Sequence, residues 1–155
     1  MNAPHDLTTE ASQCATFYLG NQLMGVDIQQ VQEINRHATV AAVPHAPECV
    51  QGVINLRGEV VTVLDLRRVL GLEPVEITKE TRNVIVNVEG EKLGLLVDRI
   101  ADVVSTRPDQ IEAPPANIRG VDGRFFRGVC KLESELLVIL DVLEVFQGSR
   151  EEYTR

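Results

Sequence analysis

The chain has 155 residues, a formal net charge of −8 at pH 7, 44% hydrophobic and 25% charged residues, only 4% aromatics and no Trp. A sequence-independent nucleic-acid binder needs a basic stripe to displace counterions, and an anionic lipid surface attracts the same sign, so the acidic balance argues against both. Cys14, Cys49 and Cys130 are odd in number, far apart and without metal-ligand spacing, which points to small core residues in a reducing cytosol.

Residues 1–13 are polar, with no apolar core of signal-peptide length, and no run approaches the roughly 18 apolar residues of a spanning helix. The expectation is a soluble, cytoplasmic protein with a flexible N-terminal tail over 1–14 and a C-terminal tail over 148–155. Between them, Val, Leu and Ile dominate the apolar content, which favours strands.

Residues 15–19 alternate weakly and turn at Gly20-Asn21 into a second strand, 22–28. Strands over 31–35 and 40–43 follow, the latter ended by Pro44 and Pro47. Residues 52–56 and 60–64 flank Arg57-Gly58, a tight-turn signal because glycine accepts positive φ. Asp65 then stands at the N-cap of a short helical stretch, 66–70, closed by Gly71. Strands 84–88 and 92–97 flank Glu89-Gly90. The segment 105–121, with Pro108, Pro114 and Pro115, is the least regular and reads as a long connection with one helical turn at 107–110. Strands 128–132 and 136–140 close the chain, and Asp141 precedes a short helical stretch, 142–146.

The chain repeats itself. Residues 52–66 align without a gap on 128–142, and Gly52, Val53, Leu56, Glu59, Leu64 and Asp65 recur as Gly128, Val129, Leu132, Glu135, Leu140 and Asp141. A weaker match upstream sets Gly25 with Gly94, Val31 with Ile100 and Glu33 with Asp102. Two matches in the same order point to duplication, with halves at about 15–72 and 82–147. About five short strands per half suggest small closed barrels. A barrel of about 60 residues is marginal alone, so the expectation is a mainly β chain whose two five-stranded barrels pack into one unit with short helices.

Three stretches carry a family resemblance: Val43-Pro44-His45-Ala46-Pro47, then Gly52-Val53-Ile54-Asn55-Leu56-Arg57-Gly58, then Val60-Val61-Thr62-Val63-Leu64-Asp65-Leu66-Arg67. With Gly25-Val26-Asp27-Ile28, Val31-Gln32-Glu33-Ile34, Gly94-Leu95-Leu96-Val97-Asp98 and Leu140-Asp141-Val142-Leu143, they resemble the CheW family of bacterial chemotaxis adaptors over about 15–147. Thr62 departs from the family, which usually has proline there. The resemblance implies two SH3-like barrels with a shared apolar groove. It implies a non-catalytic scaffold that couples the cytoplasmic hairpin tip of a chemoreceptor (a methyl-accepting chemotaxis protein) to the regulatory domain of the histidine kinase CheA. Such a protein is cytoplasmic, is recruited to membrane receptor arrays through its partners, and needs no cofactor, metal or nucleic acid.

The residues to watch follow from both lines of reasoning. Arg57 sits at a predicted hairpin tip, and the matching family arginine is tied to receptor coupling; the alternatives are an ion pair with Glu33 or simple solvation. Glu33 follows Val31 by two and shares its strand face, placed to hold Arg57. Val31, Glu33, Leu56, Arg57 and Gly58 form the expected receptor groove. Leu93, Leu95, Ile100 and Val103 form a second set assigned to kinase binding, each open to being core instead. Asp65 and Asp141 read as helix caps, and Gly52 and Gly128 as turn positions. His5, His37 and His45 are scattered without partners at ligand spacing, and no nucleophile-elbow, phosphate-loop or dinucleotide signature is present.

Overall fold

The computed structural model describes residues 12–36 and 40–153. His5, His37 and most of the expected N-terminal tail lie outside the described residues. The first half holds β1 (Ser12–Leu19), β2 (Gln22–Asp27), β3 (Val31–Arg36), β4 (Val50–Leu56), β5 (Glu59–Asp65) and the one-turn helix α1 (Leu66–Val69). The second holds β6 (Arg82–Val88), β7 (Glu91–Val97), β8 (Arg99–Thr106), β12 (Phe126–Lys131), β13 (Leu136–Leu140) and α2 (Val142–Tyr153). The irregular connection before β12 carries three two-residue strands, β9 (Ile111–Glu112), β10 (Asn117–Ile118) and β11 (Val121–Asp122).

The chain is mainly β, and its strands form two large sheets. One runs β8-β1-β2-β13-β12-β9 and the other β3-β6-β7-β5-β4, with β10–β11 as a separate pair. The sheets cut across the halves read from the repeat. The β1–β2 hairpin joins the strands of the second half through parallel pairing of β2 with β13, with Leu23 opposite Leu137. The β6–β7 hairpin joins those of the first half through parallel pairing of β7 with β5, with Leu93 opposite Thr62. Each half thus lends its leading hairpin to the other sheet. The alternation of apolar residues specifies which face is buried, but two duplicated hairpins present nearly the same face, so sequence pattern alone does not say which sheet each one joins.

The core has three parts. Phe17, Met24, Val26, Leu64, Val84, Val86, Leu95, Val97, Val138 and Leu140 belong to one cluster that draws on both sheets. Cys14, Leu23, Cys130, Leu137 and Ile139 fill the other face of the six-stranded sheet, and Ile54, Val61, Val63, Ile85 and Leu96 that of the five-stranded one. Neighbouring residues on one strand therefore enter different cores. This is why β13 reads as an unbroken Leu-Leu-Val-Ile-Leu run and not as an alternation.

Both repeat aspartates cap helices. The Asp65 carboxylate accepts the Arg67 N–H at 3.1 Å, and Asp141 Oδ1 accepts the Glu144 N–H at 3.2 Å. Burial pushes the Asp65 carboxyl up, against the Arg67 N–H bond and the nearby Arg68 charge. The closing helix is longer than the expected 142–146 stretch, and the presumed tail from 148 is helical as far as Tyr153. Glycine is a common helix stop. Gly148 serves packing instead, because a Cβ there would sit 2.9 Å from Phe125 Cε1.

Gly52 and Gly128 are not turn residues. They lie inside β4 and β12, where the pairing register slips between Val50 and Gly52 and between Phe126 and Gly128. At each place another segment crosses closely: a Cβ on Gly52 would lie 2.4 Å from the Ala41 carbonyl oxygen, and one on Gly128 2.5 Å from Ile111 Cγ2. The expected strand over 40–43 reduces to a single bridge between Ala41 and Val53.

Candidate functional site

The sharpest local feature is the β4–β5 turn. Arg57 and Gly58 both take positive φ, 50° and 87°, and Asn55 Oδ1 accepts the Gly58 N–H at 3.0 Å. Positive φ at both central residues defines the hairpin turn whose twist matches its strands. The turn lifts Arg57 off the sheet and leaves its side chain 71% exposed.

Glu33 lies on β3, at the opposite edge of the five-stranded sheet from β4. Arg57 nevertheless donates both terminal guanidinium nitrogens to Glu33 Oε2, at 2.7 and 2.5 Å. The sheet curls so that its two edges approach, and this ion pair spans them. An exposed pair is worth only about 0–1 kcal/mol. Its contribution is to aim the arginine rather than to hold the fold.

Gln32, Glu33, Leu56, Arg57, Glu59 and Lys92 surround a cavity of about 130 Å³ beside the turn. Its far wall is a second ion pair, Lys92 Nζ to Glu59 Oε1 at 2.7 Å. Lys92 also lines a larger cavity of about 350 Å³, with Val50, Thr62, Leu64, Leu93 and Phe146. Lys92 thus lines both cavities, the charged one beside Arg57 and the larger one under α2, which Glu91, Ser149 and Arg150 also line.

Of the five residues assigned to the receptor groove, Glu33, Leu56 and Arg57 line the cavity beside the turn, and Gly58 sits in the turn itself. Val31 does not line the cavity; it is half-buried against the shared core. The kinase-binding set does not form one patch. Leu95 is fully buried and presents nothing to a partner, because its face of β7 points into the shared core. Leu93, 5% exposed, lines the cavity under α2. Ile100 packs half-buried on the core, and only Val103, 52% exposed on the edge strand β8, stands free. Sequence reasoning missed Gln32, Glu59, Lys92 and the α2 residues. Lys92 reaches Glu59 through the pairing of β7 beside β5, a long-range register with no local signal.

A partly buried ion pair links the two sheets. Arg67 donates through Nε and Nη2 to the two carboxylate oxygens of Asp98 at 3.0 and 2.6 Å, and through Nη1 to the Glu73 carbonyl at 3.0 Å. Asp98 Oδ2 also accepts the Gly20 N–H at 2.7 Å, which brings the β1–β2 turn onto α1. Burial alone would raise the Asp98 carboxyl, but the hydrogen bonds from Arg67 and Gly20 outweigh it and hold it below its ordinary value.

All three cysteines are buried, and burial pushes the Cys14 and Cys130 thiols up, away from the nucleophilic thiolate. Among the described residues no three His, Cys, Asp or Glu side chains gather to hold a metal, and no helix is long and apolar enough to cross a membrane.

Known proteins agree with this picture. The family model described as a CheW-like domain matches residues 13–150. The chemotaxis protein CheW of Treponema pallidum is 35% identical, covering 94% of this chain and 88% of its own. That of Rhizobium meliloti is 31% identical over 97% of both chains. The crystal structure of the scaffolding protein TtCheW from Thermoanaerobacter tengcongensis superposes with a TM-score of 0.82 at 31% identity, covering 88% of each chain. The chain belongs to the CheW-like family of non-catalytic chemotaxis adaptors.

Proposed function

We propose that this chain couples the cytoplasmic hairpin tip of a chemoreceptor to the regulatory domain of the histidine kinase CheA, and that the receptor docks at the Arg57 end of the groove. The observation that carries the reading is the aimed arginine: a tight turn and Glu33 fix its position while 71% of its side chain faces solvent. A receptor helix would lay an apolar stripe along the groove toward Leu93 and Phe146, as amphipathic helices do in grooves, with Arg57 meeting a polar group at its end. The kinase docks elsewhere, so both partners are held at once and a shift in one is felt by the other. Recruitment to membrane arrays follows from receptor binding and needs no anchor of the chain's own.

The test is phosphate transfer from ATP in a mixture of the protein, a receptor signalling fragment and the kinase. Activation should require the protein, and Arg57→Ala should weaken it roughly tenfold or more while leaving the circular-dichroism spectrum and melting temperature unchanged. Full activation by a folded Arg57→Ala variant would remove Arg57 from the interface. Failure of the unaltered protein to bind either partner would end the adaptor reading for that pathway.

A further inference from the structure

The hairpins that lead the two halves correspond position by position, and one place in them differs in kind. β1–β2 and β6–β7 each turn over two residues, with Leu19 opposite Gln22 and Val88 opposite Glu91. Counting back from the turns sets Cys14 against Asn83. Cys14 lies between Asp27 and Val104, and Asn83 between Leu96 and Asn35. Both places are interior. Cys14 is 3% exposed and joins Leu23, Leu137 and Ile139 in its core. Asn83 is 0% exposed and shares its strand face with Ile85, which packs with Ile54, Val61, Val63 and Leu96. The fold therefore accepts a small apolar side chain at this position, and nothing in the hairpin itself asks for a carboxamide.

A carboxamide taken out of water without partners is costly. Neither Asn83 Nδ2 nor Asn83 Oδ1 has a hydrogen-bond partner among the described residues, and nor has the buried Oδ1 of half-buried Asn35. Asn35 and Asn83 stand directly opposite each other on β3 and β6, so their side chains leave the same face with Cβ atoms about 4.5–5.5 Å apart. They nevertheless make no bond to each other. Glu33 decides which way the Asn35 carboxamide points. Asn35 Nδ2 faces Glu33 Oε1 at 3.5 Å, and the reverse orientation would set an oxygen against a carboxylate. Asn35 Oδ1 is therefore the end turned inward.

We propose that Asn35 and Asn83 together hold one internal water molecule, which ties β3 to β6 inside the five-stranded sheet. The donors and acceptors match. The water accepts from Asn83 Nδ2, and it donates one proton to Asn83 Oδ1 and the other to Asn35 Oδ1. Three bonds are the usual complement of a buried water. A cation would suit the two oxygens but would face the Nδ2 protons, and an anion would do the reverse. At the matching place in the other half, Cys14 and Val104 offer no such set, so the water belongs to one half of the repeat alone. Its site is continuous with the Arg57 turn: the water holds Asn35, Asn35 backs Glu33, and Glu33 aims Arg57.

The experiment is nuclear magnetic resonance of the full chain labelled with nitrogen-15, reading cross-relaxation between water and the Asn83 side-chain amide. Asn83→Leu assigns that amide by its disappearance. The Asn83 Hδ2 protons should show cross-peaks to water with the signs of a molecule held far longer than a surface water; absence of cross-peaks with those signs overturns the proposal. Thermal unfolding followed by circular dichroism is the second measurement, and its sign decides. With the water in place, Asn83→Leu expels it and strands Asn35 Oδ1, so the melting temperature should fall by roughly 3–8 °C. Adding Asn35→Leu to that variant should recover much of the loss, because no orphaned group remains. If the Asn83 carboxamide is simply unpaired, Asn83→Leu removes its cost and the melting temperature rises, which overturns the proposal even where the amide signal is too weak to read.

Discussion

Removing Asp98 tests what joins the two sheets. The Arg67 and Asp98 side chains keep only 14% and 23% of their exposure and meet through two hydrogen bonds. Breaking a fully buried ion pair by deleting one partner costs about 3–5 kcal/mol, because the survivor is left charged and unpaired. Residual exposure screens part of that, so Asp98→Ala should cost about 2–4 kcal/mol, with the Gly20 N–H losing its acceptor as well. Set against a typical stability of about 5–15 kcal/mol, the loss is large, and it should lower the melting temperature by roughly 5–15 °C. Urea unfolding followed by far-ultraviolet circular dichroism measures it directly. A double-mutant cycle with Arg67→Met isolates the pairwise part, and the double variant should recover much of the loss, since no buried charge remains. A loss below about 1 kcal/mol would make this an ordinary surface pair and refute the reasoning.

The same pair sets an acid limit. The Asp98 carboxyl is held below its unfolded value, near about 3.9, so its contribution is present above that pH and is lost as pH falls through the lower folded value. Stability should therefore decline below about pH 4, and Asp98→Asn should flatten that decline.

Three further outcomes follow from the packing. Gly52→Ala should cost about 3 kcal/mol or more, because its Cβ would collide with the Ala41 backbone, whereas Gly58→Ala, whose Cβ meets nothing within 4 Å, should cost about 1 kcal/mol for its positive φ; equal losses in urea titrations would contradict this. Leu95→Ala should cost about 2–5 kcal/mol and Val103→Ser under about 0.5 kcal/mol, read from the same titrations, and the opposite order would invert the assignment of core and surface. Cys14, Cys49 and Cys130 are 3%, 0% and 1% exposed, so a thiol-exchange reagent should react with them only after denaturant is added; rapid reaction of the native protein would place a thiol at the surface.

Local chemistry was legible in the sequence; spatial partnership was not. Arg57-Gly58 announced a tight turn because glycine accepts the positive φ that a two-residue hairpin turn needs, and Asp65 and Asp141 announced caps because a carboxylate before a short apolar helix has an N–H waiting for it. Gly52 and Gly128 misled, since glycine marks close approach as readily as it marks a turn, and the Ala41 and Ile111 segments that approach them are distant in the chain or outside any clear motif. Leu95 and Val103 have nearly the same chemical character, and only the side of the strand that faces the shared core separates them. The Arg57–Glu33 pair was legible as a possibility, because one turn and one strand carried opposite charges, but not as a contact across the edges of a curled sheet.

The exchange of hairpins bears on how an adaptor transmits anything at all. Had each half folded as its own barrel, the two would meet at an interface like those between domains, which allow relative motion by default. Here β2 is hydrogen-bonded to β13 inside one sheet and β7 to β5 inside the other, so displacing one half from the other means breaking pairing within both sheets. The shared core and the Arg67–Asp98–Gly20 contact oppose the same motion. A displacement imposed at the Arg57 end would therefore reach the opposite end of β5 as movement of a rigid body rather than as a local rearrangement. Such a molecule fixes the relation between whatever is bound at its two ends. A coupling function requires that property, and it needs no catalytic group to supply it.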